Sequence, residues 1–157
     1  MSAHGAQRLW KLPFSRKEMR AMLAAMAGEA ALPGARVELL ILTDRDMEAL
    51  HRQSFERPGP TNVLSFPLAG APGPRPGQSL PPGGPSDSSG QPPSLLGSLA
   101  LSVDTLARES FLYGQPPASY CVRLLAHGFA HLLGFEHGAD MEGLCRRLEQ
   151  AALSVLE

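Results

Sequence analysis

The sequence predicts an α+β fold in which a small mixed β-sheet packs with helices in a single domain. Its 157 residues lie within the usual length of one domain. Hydrophobic residues make up 43% of the chain, which is enough for a core. Helical and strand-like segments follow in the order helix, strand, helix, strand, strand and then helices, a pattern typical of an α+β sandwich. We therefore treat residues 1–157 as one domain.

The N-terminal part is predicted to supply two helices and two strands. Residues 15–31 form an amphipathic helix that begins with a capping box and carries a methionine-rich face, which we interpret as core packing rather than a recognition surface. The aliphatic run at 36–44 predicts a strand buried on both faces. Thr43 and Asp46 can cap the next helix, and "TNVLSFP" at 61–67 is a second strand closed by proline.

Residues 69–94 interrupt this pattern. They hold eight of the chain's 15 prolines, with many glycines and serines. Such a composition cannot bury enough apolar surface to offset the entropy of ordering, so we expect a disordered insertion, with a proline-rich ligand for a partner as the alternative. The insertion need not divide the domain, because residues 95–103 resume as a strand that can pair with "NVLSF".

The remainder is predicted to be helical. Asp104 is expected to cap a helix that stops at Gly114. A second helix runs from about residue 118 to residue 133 and stops at Gly134, and a third closes the chain.

Composition limits the function classes. The chain has no apolar stretch long enough for a membrane span and no secretory signal pattern, so we expect a cytoplasmic protein without a membrane partner. A formal net charge of −1 means that nucleic acid would have to be held by a local basic patch, with modest and salt-sensitive affinity. The candidate phosphate contacts are Arg16, Lys17, Arg20, Arg52, Arg57 and Arg123.

The stretch "HGFAHLLGFEH", residues 127–137, contains three histidines. His127 and His131 are four residues apart, which on a helix places them on one face, about 6 Å apart along the axis. Gly134 can take the left-handed conformation that turns the chain, so that His137 returns toward the same point. Three neutral histidines around one Zn²⁺ leave a fourth position for water and lower its pKa toward about 7, as in catalytic zinc sites.

The spacing H-x-x-x-H-x-x-G-x-x-H is also that of metzincin peptidases, which need a glutamate base directly after the first histidine. Gly128 occupies that position here. Glycine is costly within a helix, so it either makes room for substrate beside the metal or permits close helix packing. Glu136 is the nearest carboxylate, and it could orient a ligating imidazole, act as a displaced base, or be a solvated surface residue.

"TNVLSFP", a G-x-aliphatic strand and "HGFAHLLGFEH" together resemble the YbeY family of bacterial metal-dependent endoribonucleases. The likeness extends from about Val37 to Leu156, apart from the insertion. It implies one zinc ion per chain held by His127, His131 and His137, and single-strand-specific cleavage of RNA in the maturation of small-subunit ribosomal RNA and in ribosome quality control. The implied partners are ribosomal RNA and the small ribosomal subunit, not DNA.

The chain departs from the family pattern at two positions. The family's arginine before the "TNVLSFP" strand aligns with Phe55, and we take Arg57 as its substitute in catalysis or RNA contact. An aspartate of the family is replaced by Ser98, which removes a carboxylate. These departures leave open a ribosome-assembly factor whose zinc is structural. A zinc peptidase using Glu136 or an unseen base is the other alternative, and Gly128 argues against it.

Overall fold

The computed structural model describes residues 12–54, 62–68, 95–136 and 138–156. Within these ranges the elements follow in the order α1 (Arg16–Glu29), β1 (Arg36–Leu42), α2 (Asp44–Ser54), β2 (Val63–Pro67), β3 (Leu95–Ser102), α3 (Val103–Leu112), α4 (Pro117–Leu132) and α5 (Ala139–Ser154). This order confirms the predicted α+β class. The Ser15–Glu18 capping box of α1 is also present, and the methionines of that helix are buried in the core, as expected.

The sheet has the strand order β1-β3-β2. β3 runs parallel to β1 and antiparallel to β2, so the sheet is mixed, as predicted. The antiparallel register pairs Val63 with Leu101 and Pro67 with Gly97, which confirms the expected pairing of the "NVLSF" strand. The predicted disorder of the insertion at 69–94 stays a prediction, because that segment lies outside the described residues.

The two faces of the sheet pack differently. Leu99 and Leu101 of β3 belong to the main core, which α1, α4 and α5 complete, whereas Ala100 belongs to a small cluster under α2. Burial on both faces was predicted for β1, but full burial belongs to β3, the central strand. β1 lies at the sheet edge, and its Leu40 and Leu42 are only half-buried under α2.

The start of α3 corrects one sequence expectation. Ser102, not Asp104, is the N-cap, and its hydroxyl accepts a hydrogen bond from the Thr105 amide at 3.2 Å. The cap residue must have an extended backbone, and Ser102 has it because it is the last residue of β3. The Asp104 carboxylate instead accepts a hydrogen bond from the Asp44 amide at 3.0 Å, at the start of α2.

The side chain of Asp44 also connects the start of α2 to the start of α3. Its carboxylate accepts hydrogen bonds from the hydroxyls of Ser102 and Thr105 and from the guanidinium of Arg108. Partial burial alone would raise the pKa of Asp44, but these hydrogen bonds outweigh it and hold the pKa below its usual value. The ionised carboxylate therefore ties the β1–α2 junction to the β3–α3 junction.

The helices are short. None of those in the described ranges is long and apolar enough to cross a bilayer.

Gly97 is required where β3 meets β2. Its φ is +150°, and a Cβ there would lie 2.2 Å from the carbonyl oxygen of Phe66. We expect Gly97→Ala to lower the free energy of unfolding by about 2–4 kcal/mol, because a strained backbone and a backbone clash must both be relieved. Urea denaturation followed by circular dichroism measures this change.

Gly143→Ala is the matched control, since it adds the same methyl group within α5 where nothing lies within 4 Å. It should raise stability by about 0.5–1 kcal/mol through helix propensity. Equal stability of the two variants would contradict the assigned role of Gly97.

Candidate functional site

α4 carries the candidate site on its C-terminal half. Pro117 begins the helix, at a position where a missing amide hydrogen is harmless. The buried side chains of α4 pack on the sheet and on α5. The helix ends at Leu132, and Gly134 follows with a φ of +91°. The prediction that Gly134 turns the chain through a left-handed conformation is confirmed.

His127 and His131 lie side by side on this helix, as their spacing predicted. Their Nε2 atoms are 3.1 Å apart, and the rings are nearly perpendicular, with centroids separated by 4.6 Å. Both side chains are half-buried. The two imidazoles therefore converge on one point at the surface, and we call them the imidazole pair.

A backbone carbonyl selects the tautomer of His131. Nδ1 of His131 lies 2.9 Å from the carbonyl oxygen of Phe135, in the turn that follows α4. A carbonyl can only accept a hydrogen bond, so Nδ1 carries the proton and Nε2 of the neutral ring keeps its lone pair. This arrangement is the usual support of a metal-ligating histidine.

The geometry of the imidazole pair fits a zinc ion. Two histidine nitrogens bound to tetrahedral zinc at about 2.0–2.1 Å are roughly 3.3 Å apart. The observed separation of 3.1 Å is close to this value, and it is also the length of a hydrogen bond between the two Nε2 atoms. Within the described ranges no group of three histidine, cysteine or acidic side chains is placed to hold a metal. His137 lies outside them, so its role as third ligand stays a prediction.

Gly128 faces the sheet and not the imidazole pair. A Cβ there would lie 3.0 Å from Cδ2 of Leu99 and 3.1 Å from Cγ2 of Val63. The hydroxyl of Ser65 donates a hydrogen bond to the Gly128 carbonyl at 2.8 Å and fastens α4 to β2. Of the two sequence interpretations, room for substrate is therefore wrong and close packing is correct.

A groove opens beside His127. It has a volume of about 610 Å³ and runs between α4 and α5. Arg123 and His127 line its α4 wall, and residues of α5 and the turn before it line the other wall: Gly138, Met141, Glu142, Cys145, Arg146 and Glu149. Burial raises the pKa of the Cys145 thiol to about 11, so the thiol is protonated at neutral pH.

Comparison of the sequence with known proteins identifies the family of this chain. Residues 7–156 match the family model described as endoribonuclease YbeY. The chain belongs to the YbeY family. A family member from Nitratidesulfovibrio vulgaris is 44% identical over 145 residues, which cover 92% of this chain and 89% of the relative. One from Oleidesulfovibrio alaskensis is also 44% identical, over 89% of this chain and 84% of the relative.

A solved structure supports the fold. The solution structure of a Thermotoga maritima protein superposes with a TM-score of 0.57 over 92% of this chain and 89% of that protein, at 13% sequence identity. At this identity the likeness shows the fold alone.

The departures from the YbeY pattern differ in where they lie. Side chains alternate along β3, so Ser98 shares a face with Ala100 under α2, opposite the face that packs on α4. The carboxylate that Ser98 lacks would therefore point away from the imidazole pair. Phe55 and Arg57 lie outside the described residues, so the proposed substitution of one arginine by the other stays untested.

The other predicted polar residues are spread over the surface. Glu136 is exposed in the turn after α4, next in the chain to Phe135. Arg52 is engaged by Glu48 on α2, with 2.6 Å between Nη2 and Oε1. Arg16, Lys17 and Arg20 are exposed on α1. Arg123 is the remaining predicted phosphate contact within the described residues, and it lines the groove beside His127.

Sequence reasoning missed three supports of the site. The Phe135 carbonyl and the Ser65 hydroxyl act on α4 directly, and Ser65 lies within the "TNVLSFP" motif that drew attention to β2. The third is Glu109 on α3, whose carboxylate accepts hydrogen bonds from Asn62 and Tyr120 and so holds the start of β2 near the start of α4. Burial and the neighbouring Glu109 raise the pKa of Tyr120 to about 12.

The orientation of Gly128 predicts the outcome of restoring the peptidase glutamate. We expect Gly128→Glu to lower the free energy of unfolding by about 3 kcal/mol or more, because its carboxylate would enter the apolar contact between α4 and the sheet without a partner. Thermal or urea unfolding measures the loss.

The control is Gly28→Glu, which places the same side chain on the exposed surface of α1, where a Cβ meets nothing within 4 Å. That variant should retain wild-type stability within about 0.5 kcal/mol. A fully stable Gly128→Glu protein would show that this position faces solvent.

Proposed function

We propose that this protein is a zinc-dependent, single-strand-specific endoribonuclease that matures small-subunit ribosomal RNA and serves ribosome quality control. The observation that carries the proposal is the imidazole pair, with Nε2 atoms 3.1 Å apart and one tautomer selected by the Phe135 carbonyl. Membership of a family described as endoribonucleases supports the reaction class. The high similarity to family members over most of the chain supports it further.

In this proposal one zinc ion per chain is held by His127, His131 and His137. The first two present nitrogens at a separation suited to the ion, and Gly134 ends the helix in a left-handed turn three residues before the proposed third ligand. The hydrogen bond from Nδ1 of His131 to Phe135 keeps that ring from rotating, so its Nε2 stays aimed at the ion site.

When bound, zinc would polarise a phosphoryl oxygen and lower the pKa of water, or of the substrate's 2′-hydroxyl, at the site. The chain itself supplies position and proton transfer. Glu136 is exposed in the turn after α4, next in the chain to Phe135, and is our candidate to take up the proton of the attacking group. Arg57 is our candidate for contact with the scissile phosphate.

The proposed partners are ribosomal RNA and the small ribosomal subunit in the cytoplasm, with neither DNA nor membrane as a partner. A chain of formal net charge −1 gains little from general attraction to phosphate. RNA must therefore be held by a few positioned cations, and a ribosomal partner would supply the remaining affinity. Attack by a 2′-hydroxyl would exclude DNA as a substrate.

Neither alternative gains support from an observation on the site. A peptidase of the metzincin type needs its glutamate at position 128, and that position faces Leu99 and Val63 in the sheet contact. An assembly factor with structural zinc is distinguished by what removal of the metal does to the fold.

The proposal predicts that the purified protein cleaves a labelled single-stranded RNA. His131→Ala should reduce the rate at least about a hundredfold, because one nitrogen of the ion site is lost. Gln150→Ala, an exposed substitution on α5, serves as the purification control and should cleave at the wild-type rate. Equal cleavage by His131→Ala and wild type would identify a contaminating nuclease and overturn the proposal.

Removal of the metal is a separate prediction. A chelator should abolish cleavage while circular dichroism and the unfolding midpoint show a folded chain, since the described core is built from apolar packing around the sheet. The expected midpoint falls modestly, and added zinc restores both cleavage and midpoint. Loss of the folded state on chelation would favour the assembly-factor alternative.

A further inference from the structure

We propose that Arg123 and Arg146 form a phosphate-binding pair in the groove between α4 and α5, and that Glu149 competes with RNA for Arg123. This inference rests on the proposed function, since it names how the substrate strand continues beyond the imidazole pair. Arg123 is among the phosphate contacts that the sequence predicts, whereas Arg146 and Glu149 enter only through the groove that the structure shows.

The first argument is continuity. His127 belongs both to the imidazole pair and to the lining of the groove. Arg123 lies one helical turn before His127 on the same face of α4, a rise of about 6 Å along the axis. A strand with one phosphate at the imidazole pair can therefore place a neighbouring phosphate against the guanidinium of Arg123.

The second argument is the state of the two arginines. Arg146 projects from α5 on the opposite wall, is exposed, and forms no ion pair among the residues that the structure describes. Arg123 has a single ionic contact in that part of the chain, through Nε to Oε1 of Glu149 at 4.0 Å. Guanidinium groups bind phosphate through paired N–H donors, and the contact with Glu149 engages only Nε of Arg123.

The third argument is that the contact between Arg123 and Glu149 is weak. Burial raises the pKa of Glu149 by more than the nearby Arg123 lowers it, so attraction to the arginine does not compensate for the loss of hydration. The arginine side chain is 56% exposed, so solvent screens the pair. A phosphate that offers two acceptor oxygens can displace this carboxylate.

The lining carries two arginines and two glutamates, which makes the groove nearly neutral overall. Its affinity for anions therefore depends on whether Glu149 holds Arg123. The carboxylate lowers the affinity for any anion, and a strand already anchored at the imidazole pair overcomes this competition because its next phosphate is held nearby. Glu149 thus favours anchored RNA over free phosphate groups.

The test measures binding of a fluorescently labelled single-stranded RNA by anisotropy in the presence of a chelator, which keeps the RNA intact and leaves both imidazoles in place. We expect Arg123→Gln and Arg146→Gln each to weaken binding about three- to fivefold. Each should also reduce the slope of log affinity against log salt by about 0.7. Arg147→Gln, on α5 but outside the groove lining, is the matched control and should bind as its parent does.

Glu149→Gln tests the competition. It should tighten RNA binding about two- to fivefold when Arg123 is present and leave binding unchanged when combined with Arg123→Gln. Tightening of the same size in both backgrounds would mean that Glu149 acts by general repulsion, and it would overturn the competition. Arg123→Gln that binds like Arg147→Gln, or an absence of RNA binding by all the proteins, would overturn the phosphate site.

Cleavage assays without the chelator separate this inference from the proposed function. Arg123→Gln should raise KM and leave kcat near the wild-type value, since Arg123 binds a part of the substrate that is distant from the reacting phosphate. RNA that is bound through Arg123 but never cleaved would leave the groove in place and refute the nuclease. Cleavage with unchanged KM in Arg123→Gln would refute the groove and leave the nuclease in place.

Discussion

The close approach of α4 to the sheet at Gly128 is the constraint on which the rest of the site depends. The helix lies so near β2 and β3 that an added Cβ would touch both Leu99 and Val63. The Ser65 hydroxyl holds the helix at this distance through the Gly128 carbonyl. Because His127 precedes Gly128 and His131 follows one turn later, the contact fixes the height of both imidazoles above the sheet. A side chain at position 128 would displace them together.

The parts of the site that the sequence predicted correctly are governed by local geometry. Helical periodicity alone brings His127 and His131 to one face, and a glycine after the last helical turn is the residue that a left-handed turn requires. The pairing of β2 with β3 followed from two adjacent aliphatic segments, despite the long insertion between them. Each of these inferences involves residues whose relation is set by backbone conformation.

The expectations that were wrong, or missing, depend on which element lies opposite. Asp104 is a better helix cap than most residues by type, but β3 delivers Ser102 to the cap position and β1 delivers the Asp44 amide to Asp104. Gly128 is compatible with either open space or close packing until the sheet is placed against it. The tautomer of His131 depends on a backbone carbonyl. Every residue has such a carbonyl, so the tautomer could not be predicted from residue types.

Because the chain is nearly neutral, the positions of its cationic side chains matter more for RNA binding than their number. Repeated phosphate contacts give a basic protein its affinity for RNA, and here the formal net charge is −1. Under the proposed function, specificity would then come from a few groups held at fixed distances from the reacting phosphate. The departure at Ser98 does not disturb this arrangement, because Ser98 lies on the face of the sheet away from α4. The imidazole pair and one wall of the groove instead lie on the same helix, α4, so under the proposed function a displacement of α4 from the sheet would alter RNA binding and cleavage together.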